Sequence, residues 1–206
     1  MTTIAVVSAG LSEPSSTRLL ADRLGAATLE ALSAEGAAGP AELRNVDLRP
    51  LAHEITDAML TRFAAPALTA AMATVVEADA VVFVTPVFTA GMSGLAKSFL
   101  DVLDKDALTD MPVLLGATGG TARHSLALEH GIRPVFAYLR AAVVPTGVFA
   151  ATDDWGSDDA GTLDARIRRA GADLAWMVRA SRRQPQQADA LPAVVDFASL
   201  LGGVQR

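Results

Sequence analysis

Ala80-Val81-Val82-Phe83-Val84 is an unbroken apolar run that stops at Thr85-Pro86. A strand with one wet face would alternate apolar and polar residues. A run apolar on both faces predicts a strand covered on both sides, which belongs in the middle of a parallel sheet. Such a sheet needs crossover helices, and they are legible on either side, from Ala67 to Glu77 before the run and from about Ser93 to Leu103 after it. Upstream, residues 3 to 8 form another apolar run that ends in the turn-rich Ser8-Ala9-Gly10-Leu11-Ser12-Glu13-Pro14. An Ala/Leu-rich helix from Ser16 to about Ala34 follows, capped by hydroxyls at 15 to 17 and broken by Gly36 to Pro40. A short strand is expected from Ala41 to Val46. Leu48 to Ala65 reads as a surface connection with a short helical pattern near Ile55 to Phe63.

Downstream, Met111 to Leu115 gives a fourth strand ending at Gly116, and Thr121 to Leu139 a helix that Gly131 and Pro134 bend. Ala142 to Ala150 holds a fifth strand interrupted by Pro145 and Gly147, and a last long helix runs from Asp159 to Arg182. Strands and helices alternating at this spacing predict an α/β fold: a doubly wound, five-stranded parallel sheet in the order 2-1-3-4-5. Helices cover both faces, and ligand loops lie at the carboxyl ends of the strands. Residues 1–183 form the expected domain, and 184–206 read as a linker and a short tail helix from Ala193 to Leu201.

Composition narrows the function. The 206 residues are 51% hydrophobic and carry a net charge of -6, which disfavours a nonspecific nucleic-acid binder. No stretch of about 18 apolar residues is present to span a membrane. The chain's first residues lack the basic segment of a signal peptide, so a cytoplasmic protein is expected. The absence of cysteine removes disulfides, thiolate metal sites and cysteine nucleophiles. The apolar surplus suits an oligomer interface.

The chemistry gathers in three loops. Ser8, Leu11, Ser12, Ser15, Ser16, Thr17 and Arg18 surround the start of the first helix. There hydroxyls, free amides and the helix dipole suit a phosphate, with Arg18 able to add a bidentate contact; the same residues would equally serve as an ordinary helix cap. Pro86, Val87, Phe88 and Thr89 leave the central strand in what reads as a loop that can pass beside a flat ring. Thr118, Gly119, Gly120 and Thr121 follow the fourth strand and offer backbone amides to a polar ring edge. Neither a dinucleotide Gly-x-Gly-x-x-Gly after the first strand, nor a P-loop, nor a Gly-x-Ser-x-Gly elbow is present. His53, His124 and His130 read as structural or surface histidines, and no metal cluster has ligand spacing. The arginines of the last helix, Arg166 among them, read as a solvated basic face.

Taken in order, Pro14-Ser15-Ser16-Thr17-Arg18-Leu19-Leu20, Thr85-Pro86-Val87-Phe88, Ser93-Gly94-Leu95-Ala96-Lys97 and Ala117-Thr118-Gly119-Gly120-Thr121 resemble the NADPH-dependent FMN reductase family, on a flavodoxin-like fold. The likeness is strongest to the branch that supplies luciferase-like or sulfonate monooxygenases. The resemblance implies FMN bound by the three loops, NADPH or NADH as electron donor, and reduced FMN released to a separate monooxygenase. A homodimer or homotetramer is implied as well. It assigns no catalytic side chain, because the flavin carries the redox chemistry. Phe88 stands where a tyrosine is often found, and His130 where some sulfonate-type relatives carry an aromatic. An FMN-containing quinone, azo or metal-ion reductase and a non-enzymatic flavin carrier would use the same loops.

Overall fold

The structure, a computed structural model, describes residues 1–34, 40–155 and 160–183. The expected tail helix therefore lies outside the described residues. Strand β1 (Thr2–Ser8) leads into α1 (Ser16–Ala34), β2 (Ala41–Asp47), a 3-10 turn at Arg49–Leu51, α2 (Ala52–Thr61) and α3 (Pro66–Val76). The central β3 (Ala80–Phe88) is followed by β4 (Gly91–Met92), α4 (Gly94–Val102) and β5 (Pro112–Gly119). A π-turn at Leu128–Ile132 runs into α5 (Arg133–Tyr138), and β6 (Ala142–Val143), β7 (Val148–Ala151) and α6 (Ala160–Ala180) complete the described chain.

The sheet runs β2-β1-β3-β5-β6, with β7 also on β5 and β4 returning against β3. Counting β6 and β7 as one interrupted strand, and β4 as a hairpin return, this is the expected 2-1-3-4-5 order. The interruption falls at Pro145 and Gly147 as anticipated: Pro112 and Val113 pair with Ala142 and Val143, and Gly116 to Gly119 pair with Val148 to Ala151.

Burial explains why the central run lacks alternation. Val81 and Phe83 enter one core with Ala5, Val7, Val113 and Leu115, under α2, α3, α4 and α5. Ala80, Val82 and Val84 enter the other with Ile4, Val6 and Leu114, under α1 and α6. Phe83 meets Phe136 edge-on at 5.0 Å between ring centroids, a contact worth roughly 1 kcal/mol beyond its buried area. On the opposite face α1 and α6 approach closely, because Gly171 has no side chain where a Cβ would come within 2.7 Å of the Ala27 backbone.

Several expectations need correction. The segment from 48 to 65 is more than a surface connection: α2 buries Ile55 and Ala58 in the core, and Glu54 accepts the Leu68 N–H at 2.9 Å to join α2 to α3. The central strand does not stop at Thr85-Pro86 but continues to Phe88, turns at Thr89 and Ala90, and returns as β4. Arg166 is not simply solvated, since it donates to the Phe149 carbonyl at 2.7 Å and pairs with Asp154 at 3.3 Å. The helix expected from Thr121 to Leu139 is instead a 3-10 turn at Ala122–His124, the π-turn and the short α5, and the expected bend near Gly131 and Pro134 falls at the π-turn.

Candidate functional site

Parallel pairing aligns the carboxyl ends of four strands. Ser8 is opposite Asp47 on one side and Val84 on the other, and Pro86 is opposite Thr118. The three sequence-defined loops thus share one edge of the sheet, and the end of β2 joins them.

Beside the start of α1 opens a cavity of 640 Å³ lined by Ser8, Gly10, Ser12, Glu13, Ser15, Arg18, Asp47, Arg49, Pro50 and His53. That volume is in the range of small-molecule sites. Ser15 caps α1, its Oγ accepting the Arg18 N–H at 3.2 Å while its carbonyl accepts the Leu19 N–H at 3.0 Å. The amides of Ser16 and Thr17, first in the helix, have no intrahelical acceptor. Gly10 lets the chain pass tightly over this cap, because a Cβ there would lie 2.0 Å from Ser15 Oγ.

Arg18 is where the sequence put it, but its charge is already engaged. Nε donates to Asp22 at 2.7 Å and Nη1 donates to Asp47. The Asp22 hydrogen bond, assisted by the charge of Asp47 and opposed by partial burial, raises the guanidinium above its ordinary value. Arg49 pairs with Glu13 at 3.0 Å. The cavity wall therefore carries two cations and two carboxylates.

The other expected residues divide between the buried floor and the rim. Thr17 and Thr118 are buried and share a hydrogen bond of 2.8 Å between their hydroxyls, tying the first loop to the third. Leu11, Ser16, Phe88, Thr89, Gly120 and Thr121 are exposed. Pro86 is buried, Val87 and Gly119 half-buried. Pro86, Val87 and Phe88 form a strand rather than a loop. Beneath them Thr85 Oγ1 accepts the Ser93 N–H at 3.1 Å, and Ser93 Oγ caps α4 by accepting the Ala96 N–H at 3.2 Å. Likewise Thr118 and Gly119 belong to β5, which passes the expected end at Gly116.

Sequence reasoning missed Asp47, Arg49, Pro50 and His53. The order 2-1-3 already implied that the end of the second strand flanks the first loop; the signal was positional rather than a motif. Among the described residues no group of three or more His, Asp or Glu side chains is placed to hold a metal ion. No single described helix is long and apolar enough to cross a membrane.

A sequence model of the NADPH-dependent FMN reductase family matches residues 2–156. The chain is 38% identical over 171 residues to FMN reductase (NADPH) of Pseudomonas aeruginosa, covering 81% of this chain and 87% of that protein. It is 34% identical over 169 residues to the NADH-dependent FMN reductase SfnE of Pseudomonas putida, again covering 81% and 87%. Among solved structures, an oxidoreductase from Corynebacterium diphtheriae aligns with a TM-score of 0.83 at 45% identity, over 88% of this chain and 98% of that one. The apo form of the NADH:FMN oxidoreductase EmoB aligns with a TM-score of 0.68 at 27% identity, over 91% and 94%.

Proposed function

The chain belongs to the NADPH-dependent FMN reductase family, and from that premise we propose that the serine-lined cavity takes the phosphate of FMN and that reduced FMN leaves for a separate luciferase-like monooxygenase. The chain is an oxidoreductase of the family that uses FMN and NAD(P)H. Bound there, FMN would supply the hydride-accepting chemistry toward the nicotinamide nucleotide, and the chain would supply its binding and orientation.

The observation that carries the site reading is the cap of α1. Ser8, Ser12 and Ser15 line the cavity beside the two free amides of Ser16 and Thr17, a donor set suited to a dianion at a helix N-terminus. Thr17 serves through its amide, because its hydroxyl is committed to Thr118. The ring would rest against the hairpin from Pro86 to Thr89, while Thr118 to Thr121 would present backbone amides to its polar edge. Leu11 stands exposed in the first loop. No protein acid or base is required of this arrangement. Release of the reduced flavin is supported by the open rim, since Leu11, Phe88, Thr89 and Gly120 are exposed.

Self-association into a dimer or tetramer would cover exposed Met59, Leu60 and Phe63 on and just after α2, and size-exclusion chromatography reads it. The activity is tested by following NADPH oxidation while free FMN is titrated above the enzyme. Many turnovers per enzyme that saturate with FMN, and reduced FMN that supports a separate monooxygenase, are expected. Binding of FMN without turnover until a quinone is added would move the assignment to a quinone reductase.

A further inference from the structure

We propose that Asp47 is a positioning residue that holds the Arg18 guanidinium away from the flavin phosphate and thereby keeps FMN loosely bound; this rests on the cavity being the phosphate site. Arg18 lies in the first turn of α1, where an unengaged guanidinium would be a strong phosphate ligand. Instead Nε donates to Asp22, one turn further along the helix, although Arg18 lines the cavity beside Ser15. Nη1 donates to Asp47, which arrives from the end of β2 as the register partner of Ser8.

Both carboxylates are 45% exposed, so burial does not enforce these pairs. Arg18 with its two partners leaves the immediate surroundings one charge negative. The second cation of the wall, Arg49, is occupied by Glu13. An incoming phosphate therefore meets hydroxyls and amides but no unengaged guanidinium, and its attraction competes with carboxylates already in place. Asp47 is the decisive partner because it lines the cavity, whereas Asp22 does not. Removing its charge weakens the hold on Nη1 and takes a like charge from the wall that faces the dianion. The alternative role, Asp47 aiming Arg18 at the phosphate, predicts the opposite sign.

The test compares FMN with riboflavin, which carries the same ring without the phosphate. Dissociation constants for both are measured by flavin fluorescence quenching on the wild-type chain, Asp47→Asn, Asp22→Asn, and Asp47→Asn combined with Arg18→Gln. Circular dichroism establishes that each is folded. Asp47→Asn is expected to bind FMN roughly tenfold more tightly, the size of one charge-assisted hydrogen bond, with riboflavin unchanged and a lower KM for FMN. Asp22→Asn should shift FMN in the same direction by less, and Arg18→Gln should abolish the gain. Unchanged or weaker FMN binding by folded Asp47→Asn overturns the proposal, and so does equal tightening of riboflavin. Wild-type protein that binds FMN no better than riboflavin would instead overturn the phosphate site itself.

Discussion

Replacing Gly10 by alanine perturbs the candidate site without altering a charge. The added Cβ would stand 2.0 Å from Ser15 Oγ, 3.1 Å from Ser15 Cβ and 3.2 Å from Thr17 Cβ. The hydroxyl can escape by rotating about its Cα–Cβ bond, but rotation ends the hydrogen bond it accepts from Arg18 N–H. The two Cβ atoms belong to the first turn of α1 and can move only with the backbone. Loss of the cap costs about 1 kcal/mol, and relieving the remaining contacts adds about 1 kcal/mol more. For a chain of this length that sum lowers Tm by about 4–8 °C. Losing a well-placed hydroxyl donor to the phosphate should weaken FMN binding about tenfold and leave riboflavin binding unaffected. Thermal melts and FMN titrations read the two effects separately. Ser15→Ala should reproduce the FMN loss, and the double variant should fall little below Gly10→Ala, because both act on one hydroxyl. A Gly10→Ala protein that melts and binds FMN like the wild type, or additive losses in the double variant, would refute the geometry.

Thr118→Val should cost about 1–3 kcal/mol in urea unfolding, because it strands the buried Thr17 hydroxyl; adding Thr17→Val should recover part of the loss. Arg183→Met should destabilise the chain by about 2 kcal/mol or more, since that side chain donates to the carbonyls of Val76 and Ala78 at 2.9 Å and to those of Ala107 and Thr109 at longer range. Arg183→Lys should rescue little, because one ammonium cannot reach the same spread of acceptors. The Arg133 hydrogen bond holds the Glu129 carboxyl below its ordinary value, against partial burial. A lowered acid contributes stability above its unfolded-state pKa and loses it as pH falls through the lowered value. Glu129→Gln should therefore narrow the stability gap between neutral and acidic solution slightly, by well under 1 kcal/mol for so exposed a pair, as read by denaturation at both pH values.

Much of the frame was legible because burial writes itself into sequence. Ala80 to Val84 had to be a two-sided strand, and the Ala/Leu stretch beginning at Ser16 had to be a helix whose start could hold an anion. The fifth strand's break could be read from Pro145 and Gly147, which remove a ladder donor and a side chain. What escaped depended on contacts distant in sequence. Nothing local tells that Ile55 and Ala58 reach the core, that Arg18 finds Asp47 rather than solvent, or that Arg183 gathers carbonyls from two separate turns. The carboxyl end of β2 enters the site through register alone.

The hairpin after β3 escaped for a different reason, and that reason bears on function. A two-residue turn of this kind is usually written with Asn or Gly, because both central residues need positive φ. Here they are Thr89 and Ala90, at φ of 49° and 64°, so the strongest local cue is missing. Left-handed alanine is disfavoured by roughly 1 kcal/mol, so the turn must be held by its surroundings. Val87 pairs with Met92, Phe88 with Gly91, and Thr85 Oγ1 accepts the Ser93 N–H beneath them. A wall bonded at both ends keeps Phe88 at the rim as part of a sheet extension. The ring end of the proposed site is thus fixed in advance by backbone pairing, while the hydroxyls and amides of the phosphate end are flanked by solvent-exposed charge pairs that can exchange partners. On that proposal, adjustment of flavin affinity would fall to the β1 and β2 side of the site, where Asp47 and Arg18 meet.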